Sequence, residues 1–397
     1  MIDRTGSQQS QQFSSDVSHT VRVERLVDGG DALVRAESGV VFVSGALPGE
    51  LVELGPVQRR GKRMEAELLR VIEASPDRRD PRCRHAGVCG GCHWQHLDYA
   101  AQQTWKRRIL AENLRRLGGI AVEPATIGLV SGPEWGYRNR VQAHSDADGR
   151  RGFRQRRSAD LVDVEECPVL VPDLERAMLT TADQPGERQV LFRDDTAVRT
   201  GGRDPVAEVT VDGRRVRFDP AGFAQSNRGL LPQLAAHLQR VVKPGMLADL
   251  YAGAGLLVTL ALTDRPPRNV VCVEPERRNA QWISTNLQNQ GLDIRRLRVE
   301  ETTVERALRR GVGRTLVEQE GTILLDPPRR GLSRELRRWL TTAPRRTARL
   351  VYLSCDAAAL ARDLGELKDY YHLVELTVFD FYPQTAHIET LAILDPS

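Results

Sequence analysis

This sequence of 397 residues contains few lysines and no long apolar run. No run of apolar residues is long enough to span a bilayer, so we expect no membrane segment. The first eighteen residues are rich in Gln and Ser and lack the apolar core of a signal peptide, which predicts a cytoplasmic protein. Only four lysines accompany 53 arginines; arginine suits phosphate recognition, but we attribute most of this bias to a GC-rich genome. The net charge is only +4, so any surface for nucleic acid must be local.

Four of the six cysteines form a pattern that is typical of a metal centre. In a cytosolic chain, cysteines serve metal binding or catalysis more often than disulfides. Cys83, Cys89 and Cys92 lie close together in the sequence, and Cys167 follows far downstream. Four thiolates fit zinc and an iron–sulfur cluster equally well, so the spacing leaves both open. Because four thiolates leave no open coordination position, a structural role is favoured over a catalytic one.

Cys355 has a different setting. The apolar run at residues 350–353 predicts a buried parallel strand, and the segment SCD leads from it into a helix of small residues. The thiol is therefore expected at the carboxyl end of a strand, where open α/β sheets bind their ligands. A helix N-terminus beside the sulfur favours the thiolate, so we interpret Cys355 as a nucleophile, with an inert buried cysteine as the alternative. Cys272, inside another predicted strand, is interpreted as such a core residue.

The N-terminal part of the chain has the pattern of a tail followed by a small β-barrel. Residues 1–18 are predicted to be disordered, and residues 19–75 alternate apolar and polar residues in five short runs between turn signals. This pattern predicts a five-stranded, OB-like barrel. The segment QRRGKR at residues 58–63 is a basic hairpin tip that either follows a phosphate backbone or is a solvated loop. The run VVFVSGALPGEL at residues 40–51 resembles the TRAM domain, an RNA-binding barrel.

Residues 76–217 are predicted to form a central α+β domain around the cysteine pattern. Apolar residues recur at helical spacing within residues 98–117, which predicts an amphipathic helix with its apolar stripe in the core. A β-rich stretch at residues 136–164 carries seven arginines, and alternation along a strand would place the first two on one face. This face is either a groove for an RNA backbone or solvated surface. The stripe consists of Trp105, Ile109, Leu110, Leu114 and Leu117, and the arginines are Arg138, Arg140, Arg150, Arg151, Arg154, Arg156 and Arg157.

From residue 218 to residue 397, strand and helix patterns alternate, which predicts a Rossmann-like domain with a mostly parallel sheet. A strand at residues 246–251 runs into the glycine turn AGAG at residues 252–255. The next strand, Asn269–Val273, ends in Glu274, 19 residues after Gly255, an arrangement that holds a nucleoside ribose through its hydroxyls. NAD and S-adenosylmethionine both use this geometry. A third strand at residues 322–325 ends in Asp326 and two prolines, which point polar groups into the same crevice.

Taken together, the motifs resemble those of one family. In chain order they are CGGC, FAQSN, DLYAGAG, VEP, LDPPRRGL, YLSCDAAALARDL and YPQTAHIET. This ordered set covers almost the whole chain and is similar to that of the RNA uracil-C5-methyltransferases. The resemblance implies three parts: a TRAM barrel, a central domain with a 4Fe–4S cluster, and an S-adenosylmethionine-dependent methyltransferase domain.

The same resemblance implies roles for particular residues. Cys355 would be the nucleophile that adds to uracil C6, and Glu389 would be the base that removes the C5 proton. His387, two residues before Glu389, is interpreted as a structural neighbour. Leu256 departs from the family pattern, in which a polar residue is common, so a cofactor contact there is absent or supplied by another residue. The implied cofactor site is Gln225, Tyr251, Gly253, Glu274 and Asp326, and the implied cluster ligands are Cys83, Cys89, Cys92 and Cys167.

The substrate implied by the resemblance is structured RNA, with ribosomal RNA favoured over transfer RNA, and the protein is expected to be a monomer without an obligate protein partner. Two alternatives come from other classes: a non-catalytic RNA-binding homologue and an iron–sulfur NAD-dependent oxidoreductase. The presence of both Cys355 and Glu389 argues against the first. The Asp-Pro-Pro loop and a nucleophilic cysteine argue against the second, because a nicotinamide enzyme needs neither.

Overall fold

The computed structural model describes residues 19–37, 39–180, 188–222, 224–343 and 348–397. The tail predicted over residues 1–18 lies outside these ranges. The chain divides into two compact units, one of Met1–Asp80 with His96–Asp98 and one of Pro81–Gln95 with Tyr99–Ser397. Within the described ranges, no helix is both long enough and apolar enough to cross a membrane.

The first unit is built on one curled sheet of seven strands in the order β5-β6-β3-β2-β1-β4-β7. The first strand pairs with β4 through its early residues and with β2 through its later ones, with a bulge between Val23 and Arg25. The expected number of five strands is wrong, because the basic hairpin tip is itself paired and adds β5 and β6. The strands are β1 His19–Leu26, β2 Ala32–Ala36, β3 Gly39–Val43, β4 Leu51–Leu54, β5 Gln58–Arg60, β6 Arg63–Ala66 and β7 Leu68–Glu73.

The second unit begins with a helix and a small antiparallel sheet in the order β11-β10-β9-β12-β13, followed by the hairpin β14-β15. The apolar face of the small sheet packs on the second helix, where Val141, Leu174 and Leu191 share one core cluster. These elements are α1 Tyr99–Asn113, β8 Gly128–Val130, β9 Arg140–Ser145, β10 Arg151–Arg154, β11 Leu161–Asp163, α2 Pro172–Thr180, β12 Arg188–Arg193, β13 Val198–Thr200, β14 Ala207–Val211 and β15 Arg214–Phe218.

The rest of the second unit is an eight-stranded sheet in the order β18-β17-β16-β19-β20-β22-β21-β8. Strands β16 to β20 run parallel to one another, whereas β22 runs antiparallel to both β20 and β21. The elements are α3 Leu231–Val241, β16 Met246–Asp249, α4 Leu256–Ala261, β17 Asn269–Val273, α5 Arg277–Gln288, β18 Leu297–Glu300, α6 Val304–Ala307, α7 Gly313–Glu318, β19 Gly321–Leu325, α8 Arg334–Thr342, β20 Ala348–Ser354, α9 Ala357–Leu367, β21 Tyr371–Phe379 and β22 Glu389–Pro396.

The central strands of this sheet are buried along their whole length, as expected for parallel strands that are covered on both faces. Every residue of β16 and of β19 is buried. Leu247, Val270, Leu324 and Val351, one from each of four strands, belong to the same core cluster. The mixed α/β fold expected from the alternating pattern is therefore confirmed.

Helix α1 is only partly the amphipathic helix that the apolar stripe predicts. Ile109 and Leu110 are buried, but Leu117 is 53% exposed and lies in a π-helical turn after α1. The buried face instead includes Gln102 and Lys106, both completely inaccessible to solvent. A periodicity of apolar residues cannot find such positions, because their burial depends on polar partners elsewhere in the chain.

Candidate active site

A cavity of about 760 Å³ lies at the edge of the eight-stranded sheet where the parallel strands end. The segments that follow β16, β17, β19 and β20 contribute Tyr251, Glu274, Asp326 and Cys355 to its wall. Strand β22 contributes Glu389, its first residue, which lies at the same edge because β22 runs in the opposite direction. The structure thus brings together the predicted nucleophile, the predicted base and the predicted cofactor residues.

The glycine turn after β16 has the backbone that the sequence requires. Gly253 and Gly255 have φ values of 54° and 85°, in the left-handed region that favours glycine. A Cβ atom on Gly253 would meet no atom within 4 Å, so the turn leaves open space at the cavity wall. The backbone N–H of Gly253 donates to Oε2 of Glu274 at 2.9 Å, and that of Glu276 donates to Oε1 at 2.9 Å. The Glu274 carboxylate is therefore fixed beside the turn, and burial raises its pKa.

Gln225 provides an unsatisfied group in the same wall. Its side chain lines the cavity and the residue is 3% exposed. Its Oε1 atom has no hydrogen-bond partner among the described residues. A buried carbonyl oxygen without a donor is costly, so this atom fits a ligand that brings an N–H or O–H group into the cavity.

Two further residues near the turn bear on the departure at Leu256. Leu256 lines the cavity and packs on two core clusters, so it offers only apolar contact. Asn279 of α5 lines the same cavity, and its side-chain N–H donates to Oε2 of Glu276 at 3.2 Å. No pattern in the sequence identifies Asn279 as a site residue, because it lies on a helix without a motif of its own.

Cys355 lies half-buried between β20 and α9, and Asp356 caps the helix by accepting a hydrogen bond from Ala359 N–H at 2.7 Å. Burial raises the pKa of the Cys355 thiol to about 12, and the negative charges of Glu389 and Asp326 add to this effect. The charge of Arg329 acts in the opposite direction. The surroundings therefore favour the neutral thiol, contrary to the expectation that a helix N-terminus would favour the thiolate.

Three carboxyl groups occupy neighbouring strand ends at this edge. Burial raises the pKa of Asp326 to about 8, and the charge of Asp249 adds to this effect. Burial also raises the pKa of Asp249, to about 7, and that of Glu389 well above its usual value. Asp249 is fully buried, and its Oδ2 atom has no partner among the described residues. Asp249 belongs to the motif DLYAGAG, but the sequence alone does not identify it as an ionisable group of the site.

A second part of the wall is basic and aromatic. Arg138 and Arg140 are half-buried and line the cavity, and the residues that alternate with them are buried, as the strand pattern predicts. Tyr382 and His387 also line it, with their rings in an edge-to-face contact at 5.7 Å between centroids. Burial lowers the pKa of His387 to about 3, so this imidazole is neutral.

The other arginines of the β-rich stretch do not all face a groove. Arg150 forms an ion pair with Asp146 at 2.7 Å, and Arg151 is buried and donates to Gln189 at 2.6 Å. Only Arg138 and Arg140 of the seven line the cavity. Fewer arginines are therefore available to an RNA backbone than the sequence suggests, because other side chains pair with some of them.

The four cysteines of the predicted metal centre are unbridged and half-buried. Burial raises the pKa of Cys92 to about 11 and that of Cys167 to about 12, and the charge of another cysteine of the set adds to each. Gly91 N–H donates to the Cys89 sulfur at 3.4 Å. Across the described ranges, however, no group of three or more His, Cys, Asp or Glu side chains is arranged to hold a metal ion.

In the first unit, most basic side chains of the hairpin are exposed, and one is engaged in contacts within the unit. Arg59, Arg60 and Lys62 are exposed at its tip. Arg63 is not available in the same way, because it pairs with Asp31 at 2.9 Å and stacks on the ring of Phe42. Three of the four basic side chains therefore remain as a candidate surface for a polyanion.

Comparison with known proteins shows what this chain is similar to. Residues 202–396 match the profile of the tRNA (uracil-5-)-methyltransferase family. A Streptomyces coelicolor protein described as an uncharacterized RNA methyltransferase is 32% identical, covering 96% of this chain and 93% of the relative. A Pseudomonas fluorescens 23S rRNA (uracil(1939)-C(5))-methyltransferase is 31% identical, covering 99% and 97%. The Pyrococcus abyssi tRNA (uracil-54, C5)-methyltransferase, solved with S-adenosyl-L-homocysteine, shares the fold with a TM-score of 0.71 at 21% identity, covering 94% and 100%.

Proposed function

Because the chain belongs to the RNA uracil-C5-methyltransferase family, we propose that it methylates C5 of a uridine in structured RNA, with ribosomal RNA as the substrate. The observation that carries the proposal is the cavity in which Cys355 and Glu389 share a wall with the glycine turn. The similarity to the Pseudomonas enzyme over nearly the whole of both chains favours ribosomal over transfer RNA. Family membership also favours a methyltransferase over the NAD-dependent alternative.

The cofactor in this proposal is S-adenosylmethionine, which supplies a methyl group on a positively charged sulfur. Glu274, fixed by two backbone N–H groups, would accept hydrogen bonds from the ribose hydroxyls. The free Oε1 of Gln225 would accept one from the cofactor. Tyr251, Gly253 and Asp326 would complete the wall, and the acidic strand ends suit a cation.

Cys355 makes the reaction possible because uracil C5 is too weak a nucleophile to take a methyl group unaided. Addition of the Cys355 thiolate to C6 forms a C–S bond and leaves an enolate whose C5 is electron-rich. After C5 has taken the methyl group, it still carries its proton. The carboxylate of Glu389 would remove this proton, and the electron pair that is left expels the Cys355 thiolate and restores the double bond.

RNA binding in this proposal uses the basic and aromatic part of the wall. A uridine inside folded RNA cannot reach Cys355 from the stack, so the base must be turned out into the cavity. Arg138 and Arg140 would then contact the backbone near it. We propose that the first unit is a TRAM-like barrel that binds the same RNA through its basic tip. A cytoplasmic monomer is the form that we expect.

The decisive experiment uses RNA in which 5-fluorouridine replaces uridine. Fluorine cannot leave as the proton does, so the wild-type protein should be captured as a covalent complex that survives denaturing electrophoresis. Cys355→Ala should give no complex and no 5-methyluridine, whereas Cys272→Ala, at the other cysteine of the sheet, should still be captured. Capture of the Cys355 variant would disprove the mechanism.

We also propose that Cys83, Cys89, Cys92 and Cys167 hold a 4Fe–4S cluster that helps the central region to fold. The residue types support it, since four thiols whose charges affect one another suit a thiolate-bound centre, although the described side chains are not arranged to hold a metal ion. Anaerobic purification followed by iron and zinc analysis tests it. Iron should be found in the wild type and lost, together with thermal stability, in Cys167→Ser. Stoichiometric zinc without iron would refute the cluster.

A further inference from the structure

The loop at residues 380–388, between β21 and β22, is hydrogen-bonded to other segments of the second unit along much of its length. Four successive carbonyl groups in it accept hydrogen bonds, each from a different segment of the second unit. These bonds run from Asn227 Nδ2 to Phe381 O at 3.3 Å, from Lys106 Nζ to Tyr382 O at 2.9 Å, from the Tyr137 hydroxyl to Pro383 O at 2.9 Å, and from the backbone N–H groups of His93 and Trp94 to Gln384 O at 3.0 Å each.

Lys106 is the charged member of this set. Its ammonium group lies 2.6 Å from Oδ1 of Asp380, and neither side chain is accessible to solvent. Taking two charges out of water is costly, and the pair is tolerated because each has a partner. The second bond of Lys106, to the Tyr382 carbonyl, ties the ion pair to a residue whose side chain lines the cavity.

Gln102, one helical turn before Lys106 on α1, holds the tightest part of the loop. The Gln102 Nε2 atom donates to Oε1 of Gln384 at 3.1 Å. In return, the backbone N–H of Gln384 donates to Oε1 of Gln102 at 2.9 Å. Gln384 has a φ of 66°, a left-handed conformation that is rare for a residue with a side chain. Such a conformation persists only where the surroundings enforce it, so α1 contributes to the shape of the loop.

The loop shapes the reaction side of the cavity. Tyr382, Thr385 and His387 line the cavity, and Glu389 follows directly at the start of β22. The proposed cofactor wall is built instead from the ends of β16, β17 and β19, together with Gln225. Helix α1 therefore acts on the part of the cavity that receives the base.

We propose that Gln102 and Lys106 are positioning residues that preset the 380–388 loop for the target uridine, so that they govern capture of the RNA base and not binding of the cofactor. This inference rests on the proposed function. It assigns a role to the polar face of α1, which neither the apolar stripe nor the motifs explain.

The test compares two quantities in the same variants: the rate of covalent capture of 5-fluorouridine RNA, and the affinity for S-adenosylmethionine measured by calorimetry. Gln102→Met should slow capture at least tenfold and leave the affinity for the cofactor within about twofold of the wild type. We expect this split between capture and affinity because only the part of the site that receives the base loses its shape. Thr104→Val, on the same helix, is the control and should behave as the wild type, because the exposed Thr104 hydroxyl donates to the Ala100 carbonyl of its own helix.

Two more variants separate positioning from folding. The double variant Lys106→Met with Asp380→Asn removes the bond to Tyr382 without leaving a buried charge unpaired, and it should show the same split. Adding Gln384→Gly to Gln102→Met should restore part of the capture rate, because glycine adopts the left-handed turn without strain. Loss of packing alone would not be rescued in this way.

The outcomes are distinguishable. Normal capture in Gln102→Met and in the double variant would overturn the inference. An equal loss of cofactor affinity and capture would also overturn it, because the two residues would then support the fold as a whole. If the wild-type protein is not captured at all, the proposed function fails instead.

Discussion

Burial and mutual repulsion push the ionisable groups at the cavity toward their neutral forms. Asp249, Asp326 and Glu389 each have a raised pKa, and so does Cys355. Raised pKa values suit the proposed chemistry in one respect, since an ionised Glu389 in this environment is a stronger base than a solvated carboxylate. The fraction of Cys355 that is present as the thiolate also depends on how many of its acidic neighbours carry a charge.

Replacement of Glu389 tests the base directly. Glu389→Gln should still add to RNA and methylate it, but turnover should fall by about 10²- to 10⁴-fold because no carboxylate removes the C5 proton. A covalent complex with ordinary RNA should therefore accumulate on denaturing gels. Loss of one negative charge near Cys355 should lower the pKa of the thiol, so the first capture step should not slow. Rapid turnover without the complex would assign the base to another residue.

Asp249 gives a prediction about stability and pH. Below the ordinary pKa of 3.8, folded and unfolded chains both hold its proton. Between 3.8 and about 7, the unfolded chain has released the proton and the folded chain has kept it, so stability falls as pH rises and the loss is complete above about 7. Asp249→Asn removes this loss, which amounts to a few kcal/mol by the usual linkage relation.

The measurement is the melting temperature of the wild type and of Asp249→Asn at pH 5 and pH 8. The wild type should lose more on going to pH 8, and the variant should be the more stable of the two there. Asp264→Asn, at an exposed position, is the control and should follow the wild type. Parallel curves for wild type and Asp249→Asn would contradict the prediction.

At the scale of elements, the loop after β19 is locked to α9, the helix that follows the nucleophile. Asp363 of α9 accepts hydrogen bonds from Leu332 N–H at 2.7 Å and from the Tyr352 hydroxyl at 2.8 Å. Gly331 has a φ of 75°, and a Cβ atom on it would overlap the Asp363 carboxylate. The motifs LDPPRRGL and ALARDL thus contact each other, and this contact joins the loop of Asp326 to the helix that follows Cys355.

Gly331→Ala should therefore be costly. The new methyl group combines a strained backbone with an overlap, which together should destabilise the protein by about 2–4 kcal/mol. Gly202→Ala is the matched control, because Gly202 has a φ of 87° but open space around its Cβ position. It should cost only the backbone strain, on the order of 1 kcal/mol. Equal melting temperatures for the two variants would show that the overlap is relieved without cost.

The elements differ in how well the sequence predicts them. Strand β17 has the predicted bounds, because a buried parallel strand is a continuous apolar run between turns. The edge at which Glu274, Asp326 and Cys355 meet also follows from sequence, since parallel strands end on one side. The polar face of α1 could not be predicted, because the partners of Gln102 and Lys106 in the 380–388 loop lie more than 270 residues away. Nor could the pairing of β5 with β6, which lack an apolar alternation.

For the molecule as a whole, the small net charge makes RNA affinity depend on a few local groups. If the exposed hairpin tip binds RNA, affinity should fall with salt at a log–log slope of roughly −0.7 per phosphate neutralised. Arg59→Glu with Arg60→Glu should make that slope shallower. Arg35→Glu with Arg70→Glu is the control: it changes the charge of the same unit equally, at residues that already pair with Glu24 and Glu53. An unchanged slope in the tip variant would remove the tip from the RNA site.

The acidic strand ends have a consequence for the binding of cofactor and product. S-adenosylmethionine enters as a cation, whereas the thioether that remains after methyl transfer is neutral. A cation in the cavity favours the ionised forms of Asp326 and Glu389, which burial otherwise keeps protonated, and this influence ends when the methyl group leaves. We therefore expect the protein to bind S-adenosylmethionine more tightly than the thioether product, and to release protons when the cofactor binds.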